Sequence, residues 1–556
     1  MKNYEKYKKL YDWKKPKNRT WPDNEIKKAP IWCSVDLRDG NQALANPMTL
    51  EEKIDFFKYL VKIGFKEIEI GFPAASETEY KFTRYLIENN LIPDDVKIQV
   101  LTQSREEIIS KTFEALEGAK NAVVHLYNST STIQRKVVFK KNKEEVKKIA
   151  TDGASLILKY IEKYPNTNWY LEYSPESFTA TEMDYAIEVV NSVLKIWYQK
   201  SKNKPIINFP ATVECSTPNI FADQIQYVAE NIENRDKMII SIHSHNDRGT
   251  GVATSEMAIL AGADRIEGSL LGNGERTGNA DILNIAMNMY VTGVDPELDF
   301  SNMNELKEIY EKYVKMPIGA RHPYVGELVF TAFSGSHQDA IAKGLQEIKN
   351  NKTQFWEVPY LPIDPADVSR QYEPIIRINS QSGKGGVAFL LEQTYGYEIP
   401  KDMRKEIGYL VKNESDKAKR ELSIEEIYSI FSSEYINRSE RISLTHFNIE
   451  LGNSDFTNLE VELEIDGNKI KKQEIGNGPI EAFTKILKNI GYEFDFKFYT
   501  QDAQDEEIKN GEKAQAVTYI KIEDKEKKEI WAIGRDESIV KSGLVALVSA
   551  INRMIN

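Results

Sequence analysis

The chain has 556 residues, 41% hydrophobic and 28% charged, with a net charge of −12 and two cysteines, Cys33 and Cys215. That length exceeds one ordinary core and implies two or three domains. The acidic balance argues against general nucleic-acid binding, two cysteines exclude a disulfide framework, and no apolar run reaches the length of a membrane span.

Residues 1–30 are polar, rich in aromatics and broken by Pro16, Pro22 and Pro30, so they read as an arm packed on a larger body or as a mobile end. The start lacks the apolar stretch of a secretory signal, and with a reducing environment for the thiols the expected location is cytoplasmic. From Ile31 the pattern becomes regular. Strand-like segments begin near Trp32, Glu67, Lys97, Ala122, Trp169, Ile206, Met238 and Arg265, each followed by an amphipathic helical stretch. In TLEEKIDFFKYLVKIG, Thr49 fits an N-cap, Glu52 follows three positions later and Gly64 closes the helix. Eight such units over about 260 residues match a (β/α)8 barrel. An open doubly wound sheet is the alternative, but no glycine-rich dinucleotide fingerprint follows the first strand.

Past Pro296 the alternation stops. Residues 305–435 read as mainly helical, interrupted where four prolines between Pro359 and Pro374 forbid a continuous helix. Composition shifts near 440, and the remainder reads as strand, strand, helix twice over, with helices near Gly478 to Ile490 and Ser538 to Met554. The expected division is an arm (1–30), a barrel (31–304), helical subdomains (305–440) and a C-terminal α+β module (441–556).

In a barrel, chemistry gathers at the C-terminal strand ends. The stretch MIISIHSHND places Ile239, Ser241, His243 and His245 on one face, because strand side chains alternate. Two imidazoles side by side at a strand tip suit two nitrogen ligands of one metal ion. DLRDGNQ after the first strand offers Asp36 and Asp39 as oxygen ligands with Arg38 between them, although Asp-Gly is also a turn signal. Spacing alone does not choose between the aspartates. An amide oxygen such as that of Asn279 in GNGERTGN would complete a mixed nitrogen and oxygen set without thiolate, suited to Mg²⁺, Mn²⁺, Co²⁺ or Zn²⁺. Three single residues have plain alternatives to a chemical role. Glu176 in SPES could cap the following helix, His337 could be a satisfied helix histidine, and Tyr360 in a proline-rich loop is by default a packing residue. NSQSGKGG (379–386), with Lys384, could cradle a phosphate or form a flexible turn.

Seven motifs in order carry a family likeness: WCSVDLRDGNQAL (32–44), EYSPESF (172–178), PATVE (210–214), HSHNDRGTGVA (243–253), GNGERTGNADI (272–282), FSGSHQDAI (333–341) and VPYLPIDPADVSRQYE (358–373). From about Trp32 to its end the chain resembles the metal-dependent aldolase-like barrels, a family of 2-isopropylmalate, homocitrate and citramalate synthases and hydroxymethylglutaryl-CoA lyase. It is most similar to the longer 2-isopropylmalate synthases. The resemblance implies that Asp39, rather than Asp36, joins His243, His245 and Asn279 as metal ligands, with Arg38 beside the metal to stabilise the oxygen that turns negative. It implies that Thr212 holds the substrate carboxylate and that Glu176, His337 and Tyr360 are acid–base groups. His337 and Tyr360 would enter from the partner subunit of a homodimer.

The implied reaction joins acetyl-CoA to 3-methyl-2-oxobutanoate and hydrolyses the thioester, with a sister synthase using another 2-oxo acid as the alternative. The implied cofactor is a divalent ion, Mg²⁺ first, with a monovalent cation such as K⁺ as activator. IGNGPIEAF (475–483) and GRDESIVKSGLVALVSAINR (534–553) resemble a leucine-sensing regulatory domain, which makes L-leucine the expected effector; Arg535 and Lys541 stand where that family often has small residues.

Overall fold

Each strand expected from the alternation forms, and each lies parallel to its neighbours. In the computed structural model β1 (Ile31–Ser34), β2 (Glu67–Gly71), β3 (Lys97–Gln103), β4 (Asn121–Ser129), β5 (Asn168–Glu176), β6 (Ile206–Ala211), β7 (Ile239–Ser244) and β8 (Arg265–Gly268) pair in sequence order. Closure comes from β1 against β8, with Ile31 opposite Arg265 and Cys33 opposite Glu267. The barrel, not the open sheet, is therefore the architecture. Residues 3–332, 334–351, 355–372, 386–418, 422–451, 456–504 and 515–555 are described. They divide into two compact units, Met1–Val329 with Ile363–Gln371, and Phe330–Pro362 with Tyr372–Asn556. Residues 379–385 of the NSQSGKGG segment, Lys384 included, lie outside the described residues.

Local signals act as their chemistry requires. The helix Leu50–Lys62 opens with a capping box in which Thr49 and Glu52 each accept the other's backbone N–H, and Gly64 leaves it at φ +111°. The N-terminal arm is packed rather than mobile. Trp13 Nε1 and Trp21 Nε1 each donate to Asp223 at 2.9 Å, and Arg19 Nε donates to the same carboxylate at 2.8 Å. Asp223 lies on the helix Pro218–Asn231, wholly buried beneath these donors.

The barrel interior departs from the near-continuous apolar lining of most parallel strands. Arg265, fully buried, donates through Nε to Glu67 (2.7 Å), through Nη1 to Glu267 (2.6 Å) and Ser241 (2.8 Å), and through Nη2 to Gln99 (2.7 Å). Lys97 Nζ joins Glu67 at 2.6 Å from the rim. Arg265 and its partners are thus a paired network, the form in which charge survives burial.

In the second unit the C-terminal module differs from the expected strand, strand, helix. Each half has three strands before its helix. β9 (Ile442–Leu451), β10 (Thr457–Ile465) and β11 (Asn468–Gly476) form one antiparallel sheet followed by the helix Pro479–Asn489. β12 (Phe494–Gln504), β13 (Gln515–Asp524) and β14 (Glu529–Asp536) form another, followed by Ile539–Ile555. The duplication read from sequence is thus a repeated βββα unit. The uncounted strand is hidden in the first half because β11, NKIKKQEIG, is a lysine-rich edge strand, mostly exposed and without apolar alternation. The helices Arg404–Ala418 and Ile424–Tyr435 share a core with the second sheet, where Ile407, Val411, Phe431 and Tyr435 meet Val517, Tyr519, Trp531 and Ile533.

The buried network makes one side chain decisive for stability. Arg265→Met leaves Glu67 and Glu267 without their shared cation, and the expected cost is about 3–5 kcal/mol. Urea unfolding followed by tryptophan fluorescence measures it, and an unchanged midpoint would refute the role.

Candidate metal and active site

The strand ends deliver the motif residues to one cavity of about 340 Å³ at the C-terminal mouth of the barrel, lined among others by Arg38, Asp39, Glu176, Thr212, His243 and His245. The chain after β1 winds into a π-turn over Asp36–Gly40, with Gly40 N–H reaching Val35 O at 3.0 Å. That turn sends the two aspartates different ways. Asp36 Oδ1 accepts Leu270 N–H at 3.0 Å and its Oδ2 accepts the Ser34 hydroxyl at 2.8 Å, so it clamps the loop after β8. Asp39 faces the imidazoles, its Oδ2 3.7 Å from His243 Nε2 and 4.0 Å from His245 Nε2.

His243 lies in β7 and His245 just beyond its end, their rings 5.1 Å apart. Asn279 Oδ1 is 3.0 Å from His243 Nε2, and Asn279 Nδ2 donates to Asn273 O at 2.9 Å, which fixes which end of the amide turns inward. The loop can make this approach only with glycine at 278, which sits at φ +96° with Gly272 O where a Cβ would be.

These atoms fit a divalent cation. Ligand atoms of Asp39, His243 and His245 lie within 4.8 Å of one another in buried surroundings. Asp39 Oδ2 is buried without a hydrogen-bond partner, a costly condition that a cation relieves. His243 Nδ1 meets Glu267 Oε2 at 2.9 Å, the carboxylate–histidine arrangement that orients a ligating ring. Burial alone would raise Asp39, but Arg38, His243 and His245 hold it well below the usual carboxylate range. Burial would lower His243, yet Asp39 and Glu267 carry it up to about 9. Burial and the charge of His243 take His245 down to about 4. A divalent ion would take the place of the proton on His243.

A second buried group, His125, Glu172 and Glu267, has similar spacing. Arg265 Nη1 lies 3.3 Å from Glu172 and 2.6 Å from Glu267, so the guanidinium already supplies the positive charge there.

Around these residues, Arg38 donates from Nε to Glu69 (2.6 Å) and from Nη1 to Asp39 (2.6 Å), which pins its guanidinium beside Asp39. Thr212 Oγ1 accepts Ser177 N–H at 2.9 Å, and the residue lines the cavity. Glu176 does not cap a helix. It ends β5, accepts a hydrogen bond from Ser129 and lines the cavity, while Glu182 precedes the helix Met183–Trp197. His337 and Tyr360 belong to the second unit, where their rings stack with centroids 3.9 Å apart. His337 lies in the helix Gly335–Asn351, and the stack is the ring contact each makes. Both are exposed, and Tyr360 sits 61% exposed in the left-handed region at φ +64°.

Several contributors were not singled out from sequence. Glu69, Glu267 and Arg265 orient Arg38 and His243. Arg276 Nη2 donates to Thr212 O (2.6 Å) and its Nε to Asp247 (2.7 Å), tying together the loops after β6, β7 and β8. The signal for Glu69, Glu267 and Arg265 is charge at every second position of EIEIG and RIEG, strands otherwise apolar.

The differing fates of the aspartates give a test. Burial pushes Asp36 from 3.8 up to about 7 against the hydrogen bonds of Ser34 and Leu270. The folded chain therefore holds this proton more tightly than the unfolded one, and the stability Asp36 contributes is lost as pH rises from about 4 to 7. Asp36→Asn should gain Tm relative to the parent as pH rises through that window; a pH-independent difference would refute it.

Comparison with known proteins agrees along the whole chain. Residues 29–309 match the HMGL-like family, 327–392 the alpha-isopropylmalate synthase post-catalytic domain-like family, and 421–555 the LeuA allosteric (dimerisation) domain. The 2-isopropylmalate synthase of Acetoanaerobium sticklandii is 55% identical over 556 residues, covering 100% of this chain and 97% of that protein. That of Clostridium acetobutylicum is 53% identical over 558 residues, covering 99% of each. That of Helicobacter hepaticus is 51% identical over 563 residues, covering 100% of each.

Proposed function

The chain belongs to the 2-isopropylmalate synthase family, and on that premise we propose that its barrel condenses acetyl-CoA with 3-methyl-2-oxobutanoate and releases 2-isopropylmalate and CoA. The observation that carries the reading is the convergence of Asp39, His243, His245 and the Asn279 amide oxygen beside Arg38 in one cavity. These four residues would hold a divalent ion, Mg²⁺ first. When bound, the ion supplies Lewis acidity that polarises the keto group of the oxo acid.

The protein's own groups do the rest. Thr212, which accepts Ser177 N–H, donates its hydroxyl to the substrate carboxylate. Arg38, held rigid by Glu69 and Asp39, stabilises negative charge as it grows on the former keto oxygen. Glu176, with His337 and Tyr360 supplied by the second copy of the homodimer, forms the acid–base set. A methyl proton of acetyl-CoA is removed to this set, the resulting carbanion bonds to the keto carbon, and the new alkoxide regains a proton. Water then cleaves the thioester, leaving a carboxylate and the CoA thiol. The full-length likeness to 2-isopropylmalate synthases is what favours this oxo acid over 2-oxoglutarate.

The regulatory and assembly readings belong to the same proposal. The LeuA likeness of 421–555 supports L-leucine as effector and a homodimer as the working state. Two βββα halves place the helix starts Pro479 and Ile539 after equivalent strands, and Lys541 pairs with Asp536 at 2.8 Å beside the second. No helix among the described residues is long and apolar enough to cross a membrane.

Two measurements test the reading. CoA thiol release should require 3-methyl-2-oxobutanoate, cease on chelation, return with Mg²⁺ and fall with added leucine. Release with pyruvate or 2-oxoglutarate alone would reassign the substrate. Asp39→Ala and His245→Ala should each lower metal-dependent kcat by about 10³-fold or more without unfolding the chain; full activity in either would overturn the ligand assignment.

A further inference from the structure

The two histidines of the proposed ligand set are held in different ways. His243 has Glu267 behind it, with Oε2 at 2.9 Å from Nδ1. His245 Nδ1 is buried and meets no hydrogen-bond partner among the described residues. The placement of that ring therefore falls to the backbone that carries it. His245 N donates to Ala211 O at 3.3 Å, at the end of β6, and Asn246 N donates to Gly278 O at 3.0 Å. Past Asn246 the chain turns through Gly249, at φ +72°, into the helix Gly251–Leu260.

One carboxylate gathers that turn. Glu214, two residues after Thr212 in the loop that follows β6, is buried. Its Oε2 accepts Arg248 N–H at 2.6 Å, three residues beyond His245. Its Oε1 accepts the hydroxyl of Thr250 and that of Thr254, the latter at 3.1 Å. Its own N–H donates to Asp247 Oδ2 at 2.9 Å, so the two loops are laced in both directions. Glu214 does more here than cap a helix. The first helical N–H, that of Gly251, goes to Asn246 Oδ1 at 2.9 Å. The Arg248 N–H taken by Glu214 lies ahead of the helix, on the stretch that leaves His245.

We propose that Glu214 is the positioning residue of His245: it does through the loop backbone what Glu267 does for His243 through the ring. The inference rests on the reading of His245 as a metal ligand given above. Partners outside the ligand set orient the ligands, and losing one typically costs about 10- to 100-fold in metal affinity or activity. Because Glu214 adjoins Thr212, the residue proposed to hold the substrate carboxylate and the ring proposed to hold the ion lie at two ends of one hydrogen-bonded lace.

The test titrates Mn²⁺, as a probe of the ligand set, into the full chain and follows the EPR signal of the free ion. Glu214→Ala should weaken Mn²⁺ binding by about tenfold or more. Glu214→Gln should restore most of the affinity, because its amide oxygen still accepts Arg248 N–H while its NH₂ donates to the threonine hydroxyls. In a His245→Ala background, Glu214→Ala should cost less than about twofold further, since the ring it places is gone. A lower Tm with unchanged Mn²⁺ affinity would make Glu214 purely structural and overturn the inference. A glutamine variant as weak as the alanine one, or an equal loss with His245 absent, would overturn it too. If His245→Ala alone binds Mn²⁺ as tightly as the parent, the ligand assignment itself fails, and this inference falls with it.

Discussion

The fold depends on one buried guanidinium. Arg265 sits at the closing seam of the barrel, on the strand that joins last to first, and holds Glu67 and Glu267 at hydrogen-bonding distance. Glu267 in turn orients His243, and Glu69, on the same strand as Glu67, holds Arg38. Charge in an apolar interior survives only when paired and hydrogen-bonded, so the pairs that make the seam permissible also set the angles of His243 and Arg38 above it. Stability and chemistry share the same atoms. A change that relaxed the barrel interior would move His243 and Arg38 together, whereas a change at the rim would not.

Much of this was legible from residues alone, for physical reasons that differ between elements. The eight strand and helix units showed through because period-2 and period-3.6 patterns are local, and the Thr49–Glu52 cap is complete within four residues. The H-x-H pair was legible because strand geometry forces positions 243 and 245 onto one face. The choice between Asp36 and Asp39 was not readable from spacing, because it turns on a π-wound stretch that no period announces, and the resemblance alone favoured Asp39. The orienting roles of Glu69, Glu267 and Arg276 were missed because each is defined by partners on other strands or loops, 24 to 64 residues away in three of their bonds.

The second unit teaches a different lesson about what patterns conceal. β11 pairs along its whole length with β10, Thr457 opposite Gly476 through Ile465 opposite Asn468, yet its lysines erase the alternation that would mark a strand. Edge strands gain from such residues because they discourage pairing with other chains, so the device that protects the edge also hides it. His337 and Tyr360 show the converse. Each alone reads as ordinary, and their stacked rings become informative only as an exposed pair, one member of which holds a left-handed backbone.

The arm carries a further implication, for the order in which the protein is made. Trp13, Arg19 and Trp21 bond a carboxylate more than 200 residues downstream, as the separations of 210, 204 and 202 record. β1 likewise waits for β8. The arm therefore waits for the helix bearing Asp223, and β1 waits longer still, for β8; until that helix emerges the indole rings stay in water. At about 5–20 residues per second that wait is on the order of ten seconds or more. The nascent chain spends it with aromatic surface uncovered, the interval in which the emerging barrel is most open to association with other chains.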